Sequence, residues 1–154
     1  MQIRWNWLGL TGLVLAVLML AVAGAQASHQ PQIVKKHKVV YHLSEAGAEK
    51  AKFVLGNIQN HVDGVRGWQQ IEALELVVHG PALKTFLTKT IDPDVKRATE
   101  ALQDRGLEFG ACGNTMKRLD ISLDDLPAGA KHLPQGGVVR LMELQEAGYA
   151  YIRP

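Results

Sequence analysis

Leu107-Glu108-Phe109-Gly110-Ala111-Cys112-Gly113-Asn114-Thr115-Met116 is the stretch that decides the fold of this chain. Leu107–Cys112 is short and apolar, as a buried strand is, and Gly113-Asn114-Thr115 then predicts a short helix to about Leu119. A strand that passes through glycine into a helix is half of a crossover unit. The same unit recurs on both sides of it.

Upstream, Lys38–Leu43 (KVVYHL) is β-branched and aromatic, which predicts a strand. Ser44 is the expected N-cap of the helix that follows, with Glu45 placed favourably against its dipole. Ala51, Val54, Leu55, Ile58 and Val62 then recur at spacings of three and four, an amphipathic helix. Two glycines within Asp63–Gln70 break the pattern, and Ile71–His79 predicts the second strand. Gly80-Pro81 starts a short helix to about Thr88, and Asp92-Pro93 starts a longer one by side-chain capping with proline at the first position. Val95, Ala98 and Leu102 form its apolar stripe, and Gly106 ends it. Downstream, Ser122 and Asp125 resemble a capping box, closed by Pro127. Ala130–Leu133 is a weak fourth strand, Gly136–Ala147 a helix stopped by Gly148, and Tyr149–Ile152 the last strand. Five short strands separated mostly by helices require crossover connections. The expected fold is therefore α/β, with a mostly parallel five-stranded sheet covered on both faces.

Composition narrows the function classes. The 154 residues are 47% hydrophobic and 21% charged, which fits a globular domain and excludes a disordered or collagen-like chain. Seventeen Lys and Arg against 15 Asp and Glu leave a formal charge of +2, too small a surplus for nucleic-acid binding. A single cysteine excludes an internal disulfide.

The first 27 residues read as an export signal: Arg4, then an almost wholly apolar run from Trp7 to Gly24, then Ala25-Gln26-Ala27 as a small-x-small cleavage site. Export to the periplasm or a comparable compartment, soluble after cleavage, is the expectation. An uncleaved anchor over residues 7–24 is the alternative, since about 20 apolar residues span a bilayer, and it would be the chain's only membrane contact. Residues 28–37 read as a flexible leader, and 38–154 as the domain.

In a parallel sheet, ligands collect at the carboxyl ends of the strands. Here those ends are His42-Leu43-Ser44, His79-Gly80, Cys112-Gly113 and His132-Leu133. The only cysteine and three of six histidines thus fall on one rim. Cys112 at a helix start meets unpaired N–H groups that stabilise a thiolate. Gly113 allows close backbone approach, and Asn114 and Thr115 can cap or bind an anion. Together these describe an accessible, activated thiol able to carry transferred sulfur or attack a disulfide. A buried cysteine acting as a small hydrophobe is the bland alternative. His79 is a candidate base or donor beside Cys112, with His42 and Ser44 as weaker binding candidates and His132 near Pro134 as a surface residue. Zinc or copper on the histidines and thiolate is a further alternative, but no H-x-x-x-H spacing occurs, so no metal ligand is assigned. Nucleotide and flavin cofactors are not expected either, because the Gly-rich phosphate-binding motifs are absent, as are G-x-S-x-G and C-x-x-C.

The run Phe109-Gly110-Ala111-Cys112-Gly113-Asn114-Thr115-Met116 (F-x-x-C-x-N-T-M) resembles the DsrE/DsrF-like family of sulfur-relay proteins. Val77-Val78-His79-Gly80-Pro81, and Gly136-Gly137-Val138 through Gly148-Tyr149-Ala150-Tyr151-Ile152, extend the resemblance over roughly Lys38 to Pro154. It implies a three-layer α/β/α domain of flavodoxin-like architecture that assembles into trimers or hexamers. It also implies that Cys112 accepts and passes on sulfur as a persulfide, between donor and acceptor proteins or small polysulfides. One departure stands out: the best-understood relay proteins of this type work in the cytoplasm, whereas this chain is expected to be exported. A non-catalytic module binding a small ligand or metal on the same fold is the rival reading.

Overall fold

A computed structural model describes residues 35–154; the expected signal segment and most of the leader lie outside them. The elements are β1 (His37–Leu43), α1 (Ala48–Gly64), β2 (Ile71–Val78), α2 (Pro93–Gln103), β3 (Leu107–Cys112), α3 (Gly113–Leu119), β4 (Lys131–Leu133), α4 (Gly137–Glu146) and β5 (Ala150–Ile152). Short 3-10 segments lie at Trp68–Gln70, Gly80–Phe86 and Leu123–Asp125. His37 already belongs to β1, one residue before the expected start.

The strands form one sheet in the order β4-β3-β2-β1-β5, and all four pairings are parallel. The chain steps from β1 through β2 and β3 to β4, then crosses back so that β5 lies beside β1. Crossovers of one hand put helices on opposite faces when the direction of travel reverses. Accordingly α1 and α2 cover one face. Their buried Val54, Leu55, Ile58, Val95 and Leu102 pack with Val39, Tyr41 and Leu43 of β1, Leu74, Leu76 and Val78 of β2, and Phe109 of β3. On the other face Leu141 and Leu144 of α4 pack on Val40, Val77 and Leu133. The second core is much the smaller, and α4 leaves Val138 and Met142 exposed.

Local chemistry accounts for most boundaries. Asp92 accepts hydrogen bonds from the Asp94 and Val95 N–H groups at 2.8 and 3.2 Å, and Pro93 follows at the first helical position. Ser122 and Asp125 form the expected capping box. Ser44 does not cap α1. Gly47 holds that position without a side-chain bond, and the Ser44 hydroxyl instead accepts from Arg153 Nη2 at 3.1 Å. The stripe of α2 is wider by one residue, because Thr99 is buried beside Ala98, which packs partly buried against the core, and donates to the Val95 carbonyl at 2.7 Å.

The Glu75–Arg140 ion pair fixes α4 to the sheet. Glu75 is almost fully buried on β2, and Arg140 donates to it through Nε (3.1 and 3.2 Å) and Nη2 (2.7 Å). Gly110 makes room for that carboxylate: a side chain there would begin 2.8 Å from Glu75 Oε1.

Candidate functional site

Because β1, β2 and β3 run parallel and side chains alternate, His42, His79 and Cys112 emerge on the face that α4 covers. Cys112 ends β3 and is the N-cap residue of α3. Its sulfur is recessed, with the residue only 5% exposed, which corrects the expectation of an openly accessible thiol. The cause is the Gly136-Gly137 start of α4, which seats its backbone against β2 and β3. A methyl group on Gly137 would lie 3.1 Å from His79 Cβ and 3.3 Å from Cys112 Cβ. Cys112 is not sealed among aliphatic side chains, however. It lines a cleft of about 400 Å³ together with His79, Gly80, Asn114, Thr115, Arg118 and Gly136–Val139. A cleft of about 530 Å³ at the opposite end of the strands, lined by Lys35, Lys36, His37, His61 and Glu72, holds no thiol.

Burial alone would raise the Cys112 pKa. The Thr115 hydroxyl and the backbone N–H groups of Gly137, Thr115 and Asn114 outweigh it, so the thiol titrates below its ordinary value. Thr115 itself is held by the Gly80 N–H, which donates to its Oγ1 at 2.9 Å and leaves the hydroxyl proton for the sulfur. The close packing depends on Gly113, where a Cβ would sit 2.5 Å from His132 Nε2 and 2.7 Å from the Leu133 carbonyl.

The two rim histidines meet. His42 Nε2 and His79 Nε2 are 2.6 Å apart with their rings stacked, and His42 Nδ1 is 2.6 Å from the Tyr151 hydroxyl. One Nε2 must donate and the other accept, so neutral rings in complementary tautomers fit this contact. Burial, then the neighbouring His79 and Arg153, lowers the His42 pKa to about 4. Burial, then Arg153 and Arg118, lowers that of His79.

The structure thus brings His79, Gly80, Cys112, Gly113, Asn114 and Thr115 together, with His42 one step behind His79. Ser44 stands apart, bonded to Arg153. His132 is exposed, as expected, although its ring lies against Gly113. Among the described residues, no three His, Cys, Asp or Glu side chains converge as metal ligands would. Sequence reasoning missed Arg118, Gly137 and Tyr151. Gly136-Gly137 was visible as a helix start, but only the strand order brings that start onto Cys112 and Tyr151 onto His42.

Comparison with known proteins places this geometry. The model of the DsrE/DsrF-like family matches residues 26–154. The chain belongs to the DsrE/DsrF-like family. Among solved structures, this DsrE/DsrF-like protein is similar to MTH1491 from Methanobacterium thermoautotrophicum, a protein of unknown function. Identity is 25% and the TM-score 0.65, over 77% of this chain and all of that one (100%). It also shares its fold with the ychN protein from E. coli, at 15% identity and a TM-score of 0.58, over 78% of this chain and 99% of that one. No curated protein matches it. No helix among the described residues is long and apolar enough to cross a membrane.

Proposed function

We propose that this DsrE/DsrF-like protein is an exported sulfur carrier that holds a persulfide on Cys112 and passes it on. The observation that carries the reading is the cleft itself: the chain's one thiol lies in it, ringed by donors that favour the thiolate. The thiolate attacks the sulfane sulfur of a donor persulfide or polysulfide. A new S–S bond forms at Cys112, the donor's S–S bond breaks, and the electron pair leaves on the donor thiolate. An acceptor thiolate later takes the outer sulfur by the same exchange. Neither step changes the overall oxidation level, so no redox partner is required. In this reading the partners are sulfur donors and acceptors, and the exposed Val138 and Met142 of α4 serve contacts between copies in a trimer or hexamer.

Intact-mass measurement after incubation with polysulfide tests the proposal. The wild type gains one sulfur mass and Cys112→Ser gains none. Equal labelling of the two refutes a carrier role for Cys112.

A further inference from the structure

The carrier reading uses the thiol and leaves the histidine pair without a role. His42 is only 8% exposed, yet two polar side chains, one from β5 and one from the end of β2, line up on it. Tyr151 of β5 contacts its Nδ1 at 2.6 Å, and its Nε2 contacts His79 Nε2 at 2.6 Å. At one end of the row, His79 shares the cleft with Cys112. At the other, Tyr151 is 41% exposed. Between them the two rings are continuous, with no gap for water in either contact. The row runs from the cleft that holds the recessed sulfur to solvent.

We propose that His79, His42 and Tyr151 form a proton path for Cys112: the proton leaving the thiol is taken at His79, handed through His42 and released at the Tyr151 hydroxyl. The proposal rests on the carrier reading of Cys112. Starting with Nε2 of His79 and Nδ1 of His42 protonated, His79 Nδ1 gains the incoming proton. The His79 Nε2 proton moves to His42 Nε2, the His42 Nδ1 proton moves to the Tyr151 oxygen, and the Tyr151 hydroxyl proton passes to water. One proton enters and one leaves, and no electron moves. His42 and Tyr151 are positioning residues that act through His79. The charged and titratable groups facing the row are Arg153 after β5, Arg118 of α3, and Cys112 of β3. The two arginines oppose a lasting positive charge on the rings, which suits groups that pass a proton on rather than keep it.

The test combines imidazole nitrogen NMR of the full chain with the pH profile of Cys112 alkylation by iodoacetamide. The expected result is one fixed tautomer on each ring, complementary at the shared Nε2 contact, and an alkylation profile with two macroscopic steps because thiol and histidine titrations are coupled. His79→Gln collapses the profile to one step. Tyr151→Phe, at a half-exposed site where the fold tolerates it, leaves both rings present but mixes their tautomers. Two rings with independent, mixed tautomers in the wild type, or an alkylation profile unchanged by His79→Gln, would overturn the proposal. Neither readout needs sulfur transfer, so failed loading by polysulfide would count against the carrier reading alone.

Discussion

Thr115 holds two jobs in one hydroxyl. Its oxygen accepts from the Gly80 N–H at 2.9 Å, and its proton serves the Cys112 sulfur. Thr115→Val keeps the shape and removes both bonds. The thiol pKa then rises, and the buried Gly80 N–H is left unpaired at a cost of about 1–3 kcal/mol. Alkylation rate against pH reports the first change and urea unfolding the second. A variant with unaltered thiol titration would show that the backbone N–H groups suffice alone.

At the scale of elements, the placement of α4 decides the site, because its first residue presents a backbone N–H to the sulfur. The helix is held by a small apolar core and by the Glu75–Arg140 pair. Glu75→Gln removes the charge from a nearly buried partner and leaves the guanidinium facing a neutral amide. Breaking such a pair destabilises by about 3 kcal/mol, and here it also loosens the Gly137 N–H above Cys112. The expected outcome is a lower urea midpoint together with a higher thiol pKa. A lower midpoint with an unchanged thiol would mean that Gly136-Gly137 is seated independently of the ion pair.

For the whole molecule, burying histidines links stability to pH. The ordinary histidine value is about 6.5, and His42 is lowered to about 4 in the fold. Between those values the unfolded chain binds a proton that the folded chain refuses. Stability from this group is therefore full above about pH 6.5, declines as pH falls toward 4, and levels off below that. His61 and His79, both held down mainly by burial, act in the same direction. Melting temperature measured from pH 8 to 4 should fall across this window in the wild type and less steeply in His42→Asn. Equal slopes would show that His42 is solvated and titrates normally.

What could be read from residues alone was whatever depends on neighbours in the chain. The bounds of β3 and α3, the Asp92-Pro93 start of α2, the Ser122–Asp125 box and the apolar stripe of α1 follow from backbone hydrogen bonding and side-chain period, which act over a few residues. Cys112 and His79 could be placed on one rim because parallel strands share their carboxyl ends. The Ser44 cap failed for the complementary reason, since a side chain bound by Arg153, 109 residues away, is not free to cap the next helix. Only the tertiary structure decided that β5 returns beside β1 and brings Tyr151 to His42, and that α4 lands on the other face and lowers Gly137 over the sulfur. Both depend on how buried area is shared between the two faces of the sheet, a property of the assembled layers that no local window of sequence contains.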